Sequence, residues 1–222
     1  MQQFDLMNLI QTIALALPGF LLAISCHEAS HALVAHFYGD DTAKMQGRLT
    51  LNPAVHYDLV GTIIFPLFGI IIGGVPFGWA KPVPVDPRRF RKMKSGLFWV
   101  SFAGPAANLI LFIISIFLYV ALQRFLPTNF YLREPLVQMA QYSSYINIIL
   151  AMFNLIPFPP LDGSRMLAPF LSYEAGRNFE ELQRYSFVFI LILWMTPIFS
   201  WMMAPALYVA ALLEGVFRWM LA

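Results

Sequence analysis

The stretch that decides the fold is residues 26–31, CHEASH, which lies inside a long apolar segment. On a helix, His27 and His31 point the same way to within about 40°, because four residues turn the chain through about 400°. The two imidazoles can therefore bind one Zn²⁺, and Glu28 is placed to activate a water molecule. No Asp, Glu, Lys or Arg occurs between Asp5 and Glu28. Ionisable residues within such an apolar segment indicate a functional site at membrane depth.

The composition extends this interpretation to the whole chain. Of 222 residues, 59% are hydrophobic and 12% are charged, whereas soluble domains average about 25% charged residues. We therefore predict an all-α polytopic membrane protein that forms a single domain, residues 1–222, and we expect no nucleic-acid partner. The N-terminal residues lack the basic region of a cleavable signal peptide, so none is expected. The single cysteine, Cys26, excludes an intrachain disulfide and is interpreted as a small neighbour of the metal site.

Several apolar stretches are candidates for crossing a bilayer, which takes about 20 residues. They are residues 6–38, 59–75, 96–122, 142–157 and 187–221. We predict about four to six transmembrane helices from them. The second stretch is short and is broken by Pro66, Gly69, Gly73 and Gly74, which favours a re-entrant or hairpin segment, with a full crossing as the alternative. The last stretch contains Pro197 and Pro205 and is either one kinked helix or a helix plus a surface segment.

The basic residues predict how the chain is oriented. Six of them lie in the loop at residues 77–95, which the positive-inside rule places in the cytoplasm. With a re-entrant second stretch, the N-terminus is outside, and 11 of the 14 Lys and Arg residues fall on the cytoplasmic side. The histidine pair lies near the end of the first span. The active site is therefore expected towards the cytoplasmic side of the cell (inner) membrane.

Two histidines make an incomplete site, because catalytic zinc generally takes three protein ligands and a water. His56 and Asp58 are eligible but lie near the predicted aqueous face, and His36, nine residues past the first histidine, points away from it. Asp162 is the stronger candidate, because it lies just beyond a proline-terminated helix on the same predicted face. The alternative is that Asp162 caps a helix at residues 163–171.

Further polar residues and loops are candidates for substrate contacts. Asn108 and Asn154 lie near predicted helix ends, where an amide can bind a substrate backbone or make an ordinary helix–helix hydrogen bond. We keep His56 as a third candidate contact. Residues 48–52 and 83–85 are predicted to form short β-strands near the active site. Their edges could hold an unwound substrate, with ordinary loop packing as the alternative.

Three ordered motifs resemble those of the site-2 protease family of intramembrane zinc metalloproteases. They are His27-Glu28-Ala29-Ser30-His31, Gly104-Pro105-Ala106-Ala107-Asn108, and the segment from Asn154 to Leu161-Asp162-Gly163. Residues 47–53 and 77–83 are similar to the compact bacterial branch of the family, which lacks an inserted PDZ domain. The resemblance covers the expected catalytic core, residues 6–171, and leaves the C-terminal transmembrane segment, residues 186–221, without a motif.

The resemblance implies specific roles for the motif residues. His27, His31 and Asp162 match the ligands of one Zn²⁺ per chain, and Glu28 matches the general base. The family position before the second histidine is commonly glycine, and the small Ser30 still fits there. Two further residues match polar positions close to the active site in the family, Asn108 and Asn154.

The expected activity is that of an intramembrane zinc metalloendopeptidase, a multi-pass protein that hydrolyses peptide bonds in or near transmembrane segments. The reaction would proceed by Glu28-assisted attack of a zinc-bound water. Zinc is the expected cofactor, and the expected partners are a transmembrane protein substrate and the lipid bilayer. No oligomeric state follows from the sequence. The alternative is a membrane metal carrier or metal-binding protein that uses the same histidines, which would need polar groups along a path rather than at one level.

Overall fold

A computed structural model describes residues 6–64, 78 and 80–222. Within this part of the chain every regular element is helical, which confirms the predicted all-α class. Shorter helical turns lie at Leu59–Ile64, Pro87–Arg89, Ala168–Phe170 and Leu182–Tyr185. The α-helices are α1 (Leu6–Phe37), α2 (Thr42–Met45), α3 (Pro53–His56), α4 (Met93–Phe125), α5 (Arg133–Asn154), α6 (Asp162–Leu167), α7 (Tyr173–Glu181), α8 (Ser186–Met195) and α9 (Ile198–Met220).

Three helices in the described part of the chain are long and apolar enough to cross a membrane: α1, α4 and α9. Helix α5 has 22 residues, and a helix of that length spans about 33 Å, more than the hydrocarbon thickness of a bilayer. It begins at Arg133, nine residues before the predicted stretch, and its polar residues Ser144 and Asn147 are buried inside the bundle. The predicted number of four to six transmembrane helices stays a prediction.

Helices α1, α4 and α5 form the centre of the bundle. Asn108 of α4 hydrogen-bonds to Asn147 of α5 over 2.9 Å, and Ser115 further along α4 contacts Ser143 earlier on α5. These two helices are therefore antiparallel. Gly19 lets α1 approach α5 closely, because a Cβ at this position would lie 2.9 Å from the Cβ of Ser143. The chain thus brings polar residues of three helices to one level inside the bundle.

Helix α9 packs against α4 and runs parallel to it. The rings of Phe117 and Phe217 lie 5.5 Å apart, and the Arg124 guanidinium donates to the Leu221 carbonyl over 3.1 Å. The last apolar stretch is thus broken into two helices, the short α8 and the long α9. Thr196 between them is extended, as the residue before a proline prefers to be, and the second proline lies inside α9.

Three arginines that the orientation argument did not count on the cytoplasmic side lie together at one end of the bundle. Arg133 and Arg218 both donate to Gln123, to its backbone and its side-chain oxygen respectively. Arg124 follows next in the chain. The basic residues between positions 88 and 94 lie at the opposite end of α4, where Arg91 donates its backbone N–H to the Tyr38 carbonyl just beyond α1. The predicted re-entrant segment falls largely on residues 65–77, which lie outside the described residues.

The short β-strands predicted at residues 48–52 and 83–85 are wrong, since neither described segment pairs with a neighbour as a strand. Pro82 and Pro84 have no N–H to donate to a ladder. Side chains instead form hydrogen bonds with the backbone groups of these segments. Arg48, only 7% exposed, donates to the carbonyls of Val55, Lys81 and Pro82, at 2.6, 2.6 and 3.3 Å.

Arg48→Gln is expected to lower the free energy of unfolding by about 1–3 kcal/mol, because a shorter amide leaves some of these buried carbonyls unpaired. Thermal unfolding in detergent micelles measures the effect. Arg177→Gln is the matched control, because Arg177 is exposed on α7 and its replacement should leave the unfolding temperature unchanged. Equal unfolding temperatures for the two variants would show that Arg48 does not stabilise the loop.

Candidate metal centre

The structure brings three metal-ligating side chains together. His27 and His31 lie one turn apart on α1, both are buried, and their Nε2 atoms are 3.1 Å apart. Asp162 begins α6, and its Oδ2 lies 3.1 Å from His27 Nε2 and 3.3 Å from His31 Nε2. Among the described residues, this is the one group of three or more His, Cys, Asp and Glu side chains whose ligand atoms could share a metal ion.

The far side of each imidazole determines which nitrogen faces this centre with a lone pair. His27 Nδ1 lies 2.6 Å from Asn108 Oδ1, and His31 Nδ1 lies 2.6 Å from the Val100 carbonyl. Both partners are acceptors, so each Nδ1 carries the proton and each neutral Nε2 carries a lone pair. Two nitrogen lone pairs and a carboxylate oxygen therefore face one another, an arrangement that suits a shared cation.

The distances among these three atoms fit zinc. Donors bonded to a tetrahedral Zn²⁺ at about 2.0–2.1 Å lie about 3.3–3.4 Å from one another. Helix α4 approaches closely at this point: a Cβ on Gly104 would lie 2.4 Å from His31 Nε2 and 2.6 Å from His27 Nε2. A side chain at Gly104 would thus fill the centre. Two histidines and one carboxylate leave a fourth tetrahedral position for water, as in catalytic zinc sites.

Local chain geometry places Asp162. A Cβ on Gly163 would lie 2.3 Å from the Leu155 carbonyl oxygen, so the chain can fold back onto the end of α5 only with glycine there. The N-cap of α6 is Leu161, so the alternative that Asp162 caps this helix does not apply.

Glu28 lies next to the ligand pair and contacts a different part of the chain. It is 8% exposed, and it follows His27 by one residue, which places it about 100° around α1. Its Oε2 accepts a hydrogen bond from the Val83 N–H over 2.8 Å. The carboxylate therefore lies between the metal-ligating face of α1 and the proline-rich segment before α4.

The other candidate residues occupy different environments. Asn108 is completely buried behind His27, and His56 is completely buried with its Nε2 2.8 Å from the Thr50 carbonyl. Asn154 is half-buried at the end of α5 and donates to a backbone carbonyl of its own helix. The eligible ligands His56 and Asp58 do not belong to the metal-ligating group, and Asp58 instead accepts from the Gly61 N–H.

Sequence reasoning missed two residues that shape the centre. Gly104 was named only as the first residue of the motif at residues 104–108, and nothing in that motif indicates that it faces the imidazoles. Asn147 was not singled out, although an asparagine in the middle of an apolar stretch is a signal that could have found it. It hydrogen-bonds to Asn108, which contacts His27.

Helices that can cross a membrane, together with a buried group of two histidines and a carboxylate beside a glutamate, define a class of helical membrane proteins with a candidate zinc site. A family model described as Peptidase family M50 matches residues 130–196. The chain belongs to this family, the site-2 protease family, and is a membrane zinc metalloprotease. The described residues include no strand and hence no inserted PDZ domain, consistent with the compact branch.

Curated relatives carry the same description. "Putative zinc metalloprotease YwhC" of Bacillus subtilis is 39% identical over 188 residues, which cover 84% of this chain and 83% of the relative. "Putative zinc metalloprotease Rip2" of Mycolicibacterium smegmatis is 27% identical over 86% of this chain and 70% of its own length. Rip2 of Mycobacterium tuberculosis is 28% identical over 82% of this chain and 67% of its own length. No solved structure matches the chain.

Proposed function

We propose that this protein is an intramembrane metalloendopeptidase that hydrolyses peptide bonds in or near transmembrane segments of membrane proteins. The observation that carries the proposal is the triangle of donor atoms from His27, His31 and Asp162, with edges of 3.1–3.3 Å, on or beside a helix that can cross a bilayer. A peptidase site buried within helices that can cross a bilayer suits a substrate that itself lies in the membrane.

In the proposed mechanism, His27, His31 and Asp162 hold the zinc ion. When bound, zinc would supply Lewis-acid chemistry towards the attacking water and the substrate carbonyl. The Nδ1 bonds to Asn108 and to the Val100 carbonyl keep the two imidazoles oriented towards the ion.

Glu28 acts as the general base and then as the general acid. Its carboxylate takes a proton from the attacking water and delivers it to the leaving amine. The Val83 N–H holds one carboxylate oxygen in place, which limits the number of orientations that the side chain can adopt. This contact also keeps the proline-rich segment beside the site.

The three candidate substrate contacts are assigned different roles in this proposal. Asn154 contacts the substrate backbone, since it is partly exposed at the end of α5, eight residues before Asp162. Asn108 positions His27, because its amide is completely buried against that imidazole. His56 supports the loop after Thr50 rather than contacting substrate.

The protein is proposed to lie in the cytoplasmic membrane with its active site towards the cytoplasm. The separation of basic residues supports this orientation: three arginines lie at the end of α4 that is distant from His31, and the basic segment before α4 lies near the end of α1. The parallel α4 and α9 then end on the outer face.

The carrier interpretation receives no support from the described residues. A carrier needs several polar sites along a path. The metal-ligating side chains that the structure describes form one group at one level, and α8 contains no histidine or acidic residue.

Asp162→Ala is expected to lose both zinc and cleavage activity, because two buried histidines without a carboxylate make an incomplete site. Purified variants are analysed for zinc by plasma emission spectroscopy and, in proteoliposomes, for cleavage of a single-span reporter protein. Asp58→Ala is the matched control and should keep both, since that carboxylate lies outside the metal-ligating group. Unchanged zinc in Asp162→Ala would exclude this ligand, and zinc flux without cleavage in the wild type would favour a carrier.

A further inference from the structure

A chain of buried side-chain hydrogen bonds leads from helix α5 to the metal centre. Asn147 is completely buried, and its Nδ2 donates to the Ser143 carbonyl over 2.9 Å. Its Oδ1 accepts from Asn108 Nδ2 over 2.9 Å. The Oδ1 of Asn108 in turn lies 2.6 Å from His27 Nδ1. A ligand imidazole is therefore connected to the backbone of α5 through two amides.

The donor and acceptor in each of these hydrogen bonds follow from the bond between Asn147 and the Ser143 carbonyl. The Ser143 carbonyl can only accept, so Asn147 must turn its Nδ2 towards it and its Oδ1 towards Asn108. Asn108 then turns its Nδ2 towards that oxygen and towards the Ala23 carbonyl, 3.2 Å away. Only the Oδ1 of Asn108 remains for His27, whose Nδ1 must carry the proton.

We propose that Asn147 is a positioning residue that sets the tautomer of His27 through Asn108, so that Nε2 of His27 faces the metal with a free lone pair. The inference rests on the proposed ligand role of His27. His31 needs no such relay, because its Nδ1 donates directly to the Val100 backbone carbonyl, which cannot flip. Metal-bound histidines are commonly oriented by the group on their second nitrogen, and losing that group typically lowers metal affinity about 10–100-fold.

Replacing Asn147 with leucine, which has a similar volume, removes the closer of the two acceptors that orient Asn108 and leaves only the Ala23 carbonyl, 3.2 Å from Asn108 Nδ2. With one acceptor fewer, the Asn108 amide flips in part of the population and presents Nδ2 to His27, which favours the tautomer with a proton on Nε2. We expect Asn147→Leu to bind zinc about 10–100-fold more weakly in competition with a chelator. The matched control is Ser144→Ala, because the Ser144 hydroxyl is buried on the same helix but donates only to the Gln141 carbonyl.

The tautomer itself can be measured by solid-state NMR of protein labelled with ¹⁵N-histidine in lipid, since the chain has only four histidines. His27→Gln identifies the His27 signals. In metal-free wild type and in Ser144→Ala, His27 Nε2 should be unprotonated. In Asn147→Leu a protonated Nε2 should appear. An unchanged His27 tautomer in Asn147→Leu would overturn the proposal.

A double-mutant cycle separates this role from a general effect on packing. If Asn147 acts through Asn108, then Asn147→Leu causes no further loss of zinc affinity in an Asn108→Leu background. Additive losses would overturn the proposal even if each single variant binds zinc weakly. His27→Gln tests the metal site itself. Full zinc affinity in His27→Gln would show that the proposed metal site is wrong. Loss of zinc in His27→Gln, together with normal zinc affinity in Asn147→Leu, would reject only the positioning role of Asn147.

Discussion

Glu28→Gln is expected to keep one zinc per chain and to lose its cleavage activity, with a fall of about 10²–10⁴-fold in kcat. Glutamine has the same size as glutamate, and its oxygen can still accept the hydrogen bond from the Val83 N–H. Neither the fold nor the metal-ligating triangle should change, since Glu28 is not a member of that triangle. The amide, however, cannot take a proton from water at neutral pH.

The measurement pairs two assays on the same preparation: zinc content by plasma emission spectroscopy, and cleavage of a bilayer-embedded reporter protein. Glu174→Gln is the matched control, because this glutamate is exposed on α7, and it should behave as wild type in both assays. Full activity in Glu28→Gln would reject the proposed general base. Loss of zinc in that variant would instead show that the carboxylate contributes to metal binding.

Gly104→Ala is expected to abolish zinc binding and cleavage although only one methyl group is added. The added Cβ would lie 2.4 Å from His31 Nε2 and 2.6 Å from His27 Nε2, well inside van der Waals contact. Either imidazole must then move away from Asp162, or the methyl group fills the space in which the metal lies. Alanine favours the helix by roughly 0.5–1 kcal/mol over glycine, so the loss of function should not come from unfolding.

Gly215→Ala is the matched control for this substitution. It makes the same change inside another long apolar helix, α9, where a new Cβ meets nothing within 4 Å. We expect this control to keep its zinc and its activity. Circular dichroism should show equal helix content in both variants. Normal zinc content in Gly104→Ala would contradict the close approach of α4 to the imidazole pair.

The structure contains the elements that local sequence patterns predicted. Helix α1 carries both histidines on one face, because their spacing follows the helical period. Asp162 was preferred from its ligand type and its place after a proline-terminated helix, and the structure places it beside them.

Two predictions failed or fell short for physical reasons. The strand predicted at residues 83–85 does not form, because Pro82 and Pro84 have no N–H on either side of Val83 and the Val83 N–H donates to Glu28. Helix α5 was predicted to begin at residue 142 because its first turns are polar. In the structure, part of this polarity faces another helix, since Arg133 in the first turn donates to the Gln123 carbonyl of α4.

The sequence by itself determined that this is a helical membrane protein and that α1 carries a candidate zinc-binding pair beside a candidate general base. Composition, helical period and ligand chemistry depend only on residues close together in the chain. Only the tertiary structure decided which carboxylate meets that pair, 135 positions after His27. It also decided that Gly104 leaves space beside the two imidazoles and that Asn147 contacts the amide that orients His27. Such contacts depend on how separate helices pack, and no local pattern specifies how close two helices come.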